Sequence, residues 1–527
     1  MLENFPFYLG ILLVILLMIM LANKIKVAYP ILLVLAGLAI SFIPGIPVIN
    51  IEPDLIFFIF LPPLLYEASW KVSWKEMWRW RRVITSFAFV VVFVSALSVA
   101  LVANYFIPGF SLALGFVLGG IVSPPDAVSA GAILKFVKVP KTVSSILEGE
   151  SLLNDASSLI IFRFAMIAVA TEQFIFHKAA LSFSWMIIGG VSIGLLIGWV
   201  FMKAHKYLPT DVNADSVLTL LTPYIIYLTA EEVHCSGVLA VVSAGLLLSN
   251  NRHRFLSSRS RIRGVNVWES FCFILNGFVF MLIGLDLPQI TKGLEEVNIG
   301  IAAAVGYGVL ITLVLIVSRM LSSYGAVIVT LIARNFITVA DSKNPGYRVP
   351  FILGWTGMRG VVSLAAALSI PVYLNNGNGF PQRNLILFIT FIVILLTLLI
   401  QGLTLPYFIK KILTNNDDDD ALSRDEVYNN IRKELAEFAT HYLKTNYSDQ
   451  VESNASLQQL ILKWEQLSNG IDDELIGDDL KVVYLDLLQQ QRLWLINKNK
   501  EDQTLDETLI RRQMHYLDIE EEKLRYI

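Results

Sequence analysis

The stretch EGESLLNDASSLIIFRFA, Glu148 to Ala165, carries Glu148, Glu150, Asn154, Asp155 and Arg163 in a run that otherwise reads as one apolar helix. Residues four apart share a helix face, so Glu150 stacks with Asn154, and Ser151 stacks with Asp155 on the adjacent stripe. The first stripe can meet a buried guanidinium, offering a carboxylate for the charge and a carboxamide for part of the remaining hydrogen bonding. The second offers a hydroxyl and a carboxylate, hard oxygen ligands suited to a small cation.

Three further stretches bury ionisable groups among apolar neighbours: FLPPLLYEASW with Glu67, GGIVSPPDAVSAGA with Asp126, and GWTGMRGVVSLAAAL with Arg359. Such groups cost roughly 2.5–3.5 kcal/mol each in a bilayer even on lenient insertion scales, which marks them as functional by default. Pro124 and Pro125 lack amide donors and clash with the preceding turn. They predict a broken helix whose freed carbonyls need water, a neighbour or a cation. Asp126 follows that break, where the dipole of the second half-helix favours an anion, and reads either as a ligand or as a cap. Gly354, Gly357 and Gly360 loosen the helix around Arg359. Arg359 is the guanidinium expected opposite Glu150. Glu67, near the end of its stretch, reads as a ligand or as a snorkelling charge. For Asp155 no cap or interface offers an alternative. Arg163 and Arg319 read as packing or helix-tether charges, and Gly190, Gly194 and Gly198 as a ridge for close helix packing.

A membrane must hold these groups. Hydrophobic residues make up 55% of the chain and charged residues 16%, with a mean hydropathy of +0.62, whereas soluble domains carry about a quarter charged residues. Stretches of about 20 mostly apolar residues lie near 5–23, 27–44, 54–70, 83–107, 111–137, 143–171, 182–206, 215–231, 236–250, 268–286, 297–333, 350–372 and 382–412. They predict an all-α polytopic membrane protein with about thirteen transmembrane helices. The fifth and twelfth are the broken ones. With the seventh as a linker, they hold the same place in two six-helix halves, the pattern of two inverted repeats around a midplane site.

Basic residues alternate between connections. One set holds Lys24 and Lys26; Lys71, Lys75, Arg79, Arg81 and Arg82; Lys135, Lys138 and Lys141; Lys203 and Lys206; Arg252, Arg254, Arg259, Arg261 and Arg263; and Arg334, Lys343 and Arg348. The other set holds only Lys178, Lys292 and Arg383. This asymmetry predicts an outside N-terminus and a cytoplasmic C-terminus. The first span lacks a basic start and a cleavage site, so it is expected to be retained. Cys235 and Cys272 suggest neither a disulfide framework nor a zinc site. A net charge of -3 makes no case for a nucleic-acid partner. The transmembrane domain is expected over 1–412 and an acidic linker over 413–422. A helical cytoplasmic domain for packing or regulation is expected over 423–527, opened by a capping box at Ser423 and Glu426. Asn446 and Asn454 match the glycosylation pattern but lie on the side where it is inert.

FLPPLLYEASW, SPPDAVSAGAIL, EGESLLNDASSLIIF and WTGMRGVVSLAAAL, in this order and spacing, closely resemble the bacterial sodium/proton antiporters of the monovalent cation:proton antiporter-1 group. That is the family of the NhaP proteins and the animal Na+/H+ exchangers, and the likeness covers roughly residues 5–412. It implies a thirteen-helix inverted-repeat fold, a homodimer in the cell inner (plasma) membrane, and exchange of cytoplasmic Na+ (or Li+, sometimes K+) for external H+, without cofactor. By motif position Asp155 resembles the essential ion- and proton-binding carboxylate, with Na+ at Asp155, Glu67 and Ser151. Asp126 resembles the acid beside the unwound crossing, and Glu150, Asn154 and Arg359 the structural salt bridge with its asparagine. Many relatives carry Thr-Asp-Pro at the crossing, whereas this chain has Pro125-Asp126-Ala127. A threonine hydroxyl is lost, leaving backbone carbonyls from Ser123 to Pro125 as ligands there.

The chemistry expected is competition. A buried carboxylate needs a compensating positive charge, and a proton or a metal ion can supply it, but not both. If only loaded states reorient, exchange is obligatory. Asn154 cannot titrate, so one proton per cation and electroneutral transport are expected, serving pH and sodium homeostasis. A K+/H+ exchanger of the same fold is the nearest alternative. A channel would need a continuous polar pore, and an enzyme would need a nucleophile–base or metal set for which Ser236-Gly237 is too thin. No Walker pattern is present.

Overall fold

The computed structural model describes residues 5–43, 53–134, 137, 139–171, 176–295, 300–333, 346–374, 377–413, 433–445, 455–468 and isolated positions beyond 484. Apolar sequence without water to satisfy its backbone closes its hydrogen bonds within helices, and every regular element among the described residues is helical. In chain order these are α1 Phe5–Ile25, α2 Tyr29–Ser41, α3 Pro53–Lys71, α4 Trp74–Arg79 and α5 Arg81–Thr85, which passes through a π-helical stretch, Ser86–Val91, into α6 Val92–Phe106. Then come α7 Leu112–Val122, α8 Ala127–Leu134, α9 Lys141–Thr171, α10 Phe176–Tyr207, α11 Val212–Glu232, α12 Gly237–Phe255 and α13 Ser258–Leu285. The last are α14 Leu287–Glu295, α15 Ile301–Ala333, α16 Arg348–Trp355, α17 Val361–Leu368 and α18 Arg383–Leu413. Seven of the described helices are long and apolar enough to cross a membrane. The short helices α4 and α14 had no counterpart among the apolar stretches.

The chain divides into two units, Met1–Thr414 and Asn415–Ile527. In the second, helices cover 433–445 and Ala455–Ser468, tied by Lys444 to Glu465. The acidic run Asp417–Asp420, the Ser423–Glu426 capping box, Asn446, Asn454, Lys135, Lys138, Arg334 and Lys343 lie outside the described residues.

Helix ends follow local chemistry. Ser111, Asp211, Ser236 and Ser257 each accept a backbone N–H from the first turn of α7, α11, α12 and α13, as N-caps do. Proline acts differently in two places. Pro62 and Pro63 leave α3 unbroken, and the carbonyl that Pro63 cannot serve, Ile59 O, accepts from the Tyr224 hydroxyl at 3.1 Å. Pro124 and Pro125 end α7, and the chain restarts as α8 only at Ala127. A second break separates α16 from α17 over 356–360.

Two hydrophobic clusters form. One gathers residues of α2, α7, α15, α17 and α18; the other gathers α3, α11 and α12. Helix α9 belongs to both, giving Val143, Ile146, Leu147, Phe162 and Ala165 to the first and Leu152 and Ala156 to the second. It shares the seam between them with α3, through Phe60 and Leu61, and with α13, through Leu275 and Cys272. The ridge Gly190, Gly194 and Gly198 is a packing surface, as expected: a Cβ at Gly194 would collide with Ala240 O and Ser243 Oγ, and one at Gly198 would press on Ala244. Gly194→Leu should push α10 from α12 and cost about 1–3 kcal/mol. Thermal unfolding of the detergent-purified protein measures this; an unchanged midpoint would mean the helices do not need that closeness.

Candidate functional site

Asp155 lies near the middle of α9, one turn after Ser151 on the same stripe. It is 8% exposed, and among the described residues its carboxylate takes part in no hydrogen bond or ion pair. Asp126 is close enough to act on it electrostatically. An ionised carboxylate so placed has lost its water and gained no counter-charge, so it invites a proton or a cation.

Beside it the two broken helices meet. Asp126 N–H, which a continuous helix would give to Val122 O, donates instead to Met358 O in the other break, at 2.7 Å. Val122 O accepts from Arg359 Nε at 2.7 Å and Ser123 O from Arg359 Nη2 at 3.3 Å, so the guanidinium caps the C-terminal end of α7. Arg359 N–H donates to Thr397 Oγ1 of α18 at 3.1 Å. Asp126 turns its carboxylate to α8, accepting from Val128 N–H at 2.9 Å and Ser129 Oγ at 2.6 Å. Gly360 starts α17 against the same carboxylate; any Cβ there would run into it. The anion thus sits where two half-helices begin, and the cation where one ends.

Asn154 and Glu150 hold α9 to this crossing. Asn154 Nδ2 donates to Pro125 O at 3.0 Å. Of the carbonyls expected as ligands, those of Ser123 and Pro125 are therefore already engaged, each with a second lone pair remaining. Glu150 corrects the expected pairing. Its partner is Arg319 of α15, bidentate at 2.7 and 2.9 Å, while Arg359 serves the carbonyls and lies within electrostatic range of both. Both members of the Glu150–Arg319 pair are buried. Four buried polar atoms in this region, Ser123 Oγ, Asn154 Oδ1, Arg319 Nε and Arg359 Nη1, have no partner among the described residues.

Glu67 is placed otherwise than Asp155. It pairs with Lys71 one turn on and lines a cavity of about 280 Å³ with Asp215, Arg252 and Trp268. Arg163 is a tether, as expected, joining α9 to Glu231 of α11 at 2.7 Å. Glu231 also receives Gly237 N–H at 3.1 Å. Both line a second cavity, of about 500 Å³.

Residues 11–411 match the family described as "Sodium/hydrogen exchanger, transmembrane". The chain belongs to this family. Together with the seven long apolar helices among the described residues, membership makes this sodium/hydrogen exchanger relative an integral membrane protein. It is 34% identical over 377 residues to a "Sodium, potassium, lithium and rubidium/H(+) antiporter" of Bacillus subtilis, covering 70% of this chain and 56% of that protein. Its likeness to the Bacillus pumilus protein of the same name is 31% over 427 residues, covering 80% and 63%. The chain thus matches somewhat over half the length of these relatives. It is 30% identical to the "Low-affinity Na(+)/H(+) antiporter NhaS1" of Synechocystis, with 89% of each chain covered. The fold is that of the sodium proton antiporter MjNhaP1 from Methanocaldococcus jannaschii, with a TM-score of 0.60 at 19% identity over 75% of this chain and 98% of that one.

Sequence reading missed three members of the site. Arg319, a charge within the otherwise apolar α15, carried the same signal as Arg359 and reads from sequence as a packing or helix-tether charge. It does tether α15 to α9, and what that reading lacks is its place in the site as the partner of Glu150. Thr397 and the Met358 carbonyl carried no signal, because their roles arise only where the breaks meet. Elsewhere, His205 Nδ1 lies 3.0 Å from Asp215 Oδ1, and Ser260 Oγ donates to Asp215 at 2.7 Å, binding the ends of α10, α11 and α13. Arg319→Met, which strands Glu150, should cost about 3–5 kcal/mol, and Glu150→Leu with Arg319→Met should recover most of it. Detergent thermal melts would show this; a double variant no more stable than the single one would remove the pair from its anchoring role.

Proposed function

We propose that this protein is a secondary antiporter that exchanges a monovalent cation, Na+ first, for H+ at Asp155. The observation that carries the reading is the single unpartnered carboxylate on α9 beside a crossing whose other charges are all engaged. Glu150, Asp126 and Asp155 stand against Arg319 and Arg359: three carboxylates less two guanidiniums leave one negative charge. One monovalent cation or one proton neutralises it, which supports one-for-one, electroneutral exchange. Ser151 and the free lone pairs of the Ser123 and Pro125 carbonyls supply further oxygens. Glu67, its charge already balanced by Lys71, adds one more oxygen without changing this count.

The seam position of α9 supports alternating access, with one helix cluster moving against the other around a fixed carboxylate. Helices at the thirteen apolar stretches, with breaks in the fifth and twelfth, support two inverted repeats. The alternation of basic connections supports an outside N-terminus and a cytoplasmic C-terminus in the cell inner membrane, and the family supports a homodimer. Potassium is the second reading, favoured by the names of the Bacillus relatives and by the missing hydroxyl at the Pro125-Asp126-Ala127 crossing.

In proteoliposomes with an imposed pH gradient, Asp155→Asn should lose cation-driven dye dequenching while eluting as a folded species. Normal dequenching in that variant would end the proposal. Competition also sets a pH dependence. As pH falls the proton occupies the site more often, so the apparent KM for Na+ should rise, approaching ~10-fold per pH unit, with maximal rate little changed. A KM flat across neutral to acidic pH would exclude a shared site.

A further inference from the structure

The segment WKVSWKEMWRWRR, Trp70 to Arg82, holds five basic residues against one acidic, and four tryptophans, in thirteen positions. It folds as the end of α3, the whole of α4 and the start of α5. Lys71, Lys75, Arg79, Arg81 and Arg82 are all exposed. Trp74 and Trp78 are exposed by 44% and 57%, with their rings stacked 6.1 Å apart. Arg81 lies over the Trp78 ring at 4.6 Å and Arg79 over Trp80 at 5.6 Å. The apolar helix running from Arg81 to Phe106 begins at once, which sets this cluster at the level where hydrocarbon gives way to headgroups. A basic connection alone suffices to orient a span. Stacked, exposed indoles interleaved with cations go further, because indoles settle among headgroups while each lysine or arginine attracts anionic lipid.

We propose that Trp70–Arg82 is a binding surface for anionic phospholipid headgroups, whose occupancy adjusts the helix that carries Asp155. The second half follows from packing. Ile84, buried two residues after the segment, fills the space beside Gly149, where any Cβ would collide with it, and Gly149 precedes Glu150. Farther along, Ser157 of α9 donates its hydroxyl to Ala88 O. Ala88 lies in the π-helical stretch Ser86–Val91, a register uncommon except where function requires it. A headgroup that draws the basic cluster toward the bilayer therefore pulls on α9 on either side of Asp155.

The binding half stands on membership in a membrane family, and the regulatory half rests on the exchange reading, so the test reads them separately. Lipid retained by the full chain in mild detergent is measured by native mass spectrometry. Exchange is measured in vesicles of phosphatidylcholine alone or mixed with phosphatidylglycerol. The parent should retain phosphatidylglycerol over phosphatidylcholine, and the variant Lys75→Gln/Arg79→Gln/Arg81→Gln should retain it at least ~10-fold less. The parent should exchange severalfold faster in the mixed vesicles. The variant should match the parent in phosphatidylcholine and show no such gain. Equal retention by parent and variant overturns the surface. Retention as expected with no lipid effect on exchange overturns the coupling. Retention as expected with no exchange in any vesicle sinks the exchange reading and leaves the surface standing.

Discussion

Two broken helices complete each other's backbones, and the arrangement of every charge in the site depends on it. In a medium without water an unpaired peptide group costs several kcal/mol, so neither break could stand alone. The amide of Asp126 leaves its own helix for Met358 O, and the carbonyl it abandons, Val122 O, is taken by Arg359. Each break supplies what the other lacks. The result is a rigid crossing with helix N-termini on Asp126 and a helix C-terminus on Arg359, the sign of charge that each end favours.

That exchange of partners leaves α9 with one unmatched group. Asn154 is tied to Pro125 O and Glu150 to Arg319, so the helix is fixed at two points immediately before Asp155. With both neighbours committed, only Asp155 keeps an uncompensated charge. The buried pair is held because separating it would strand a charge, and this serves position more than stability, since burying both ions is itself costly. The same helix packs into both hydrophobic clusters, so Asp155 lies on an element that any relative movement of the clusters must involve.

The tethers differ in kind along α9. At Gly149, the residue before Glu150, the contacts are apolar and steric, with Ile84 packed against the glycine. At Glu150 and Asn154 they are buried and charge-assisted. Toward the far end of α9 Arg163 and Glu231 form a pair with the arginine side chain 43% exposed, a geometry that contributes little in solvent.

Much of this was legible from residues alone. Apolar length, the proline pairs and charges inside apolar runs are local properties, and they marked the helices, the crossing and Asp155. The same Pro-Pro pair nevertheless leaves α3 continuous and breaks the chain after α7. In α3 a distant tyrosine, Tyr224, satisfies a freed carbonyl, and no local pattern announces that. Arg319 and Arg359 carried equal signals, and the sequence offered Glu150 the wrong one of the two. The sequence by itself determined the class of protein, the positions of its breaks and the carboxylate that stands without a partner. Only the tertiary structure decided which guanidinium neutralises Glu150 and which caps a helix, because that choice depends on how far apart residues from remote helices come to lie.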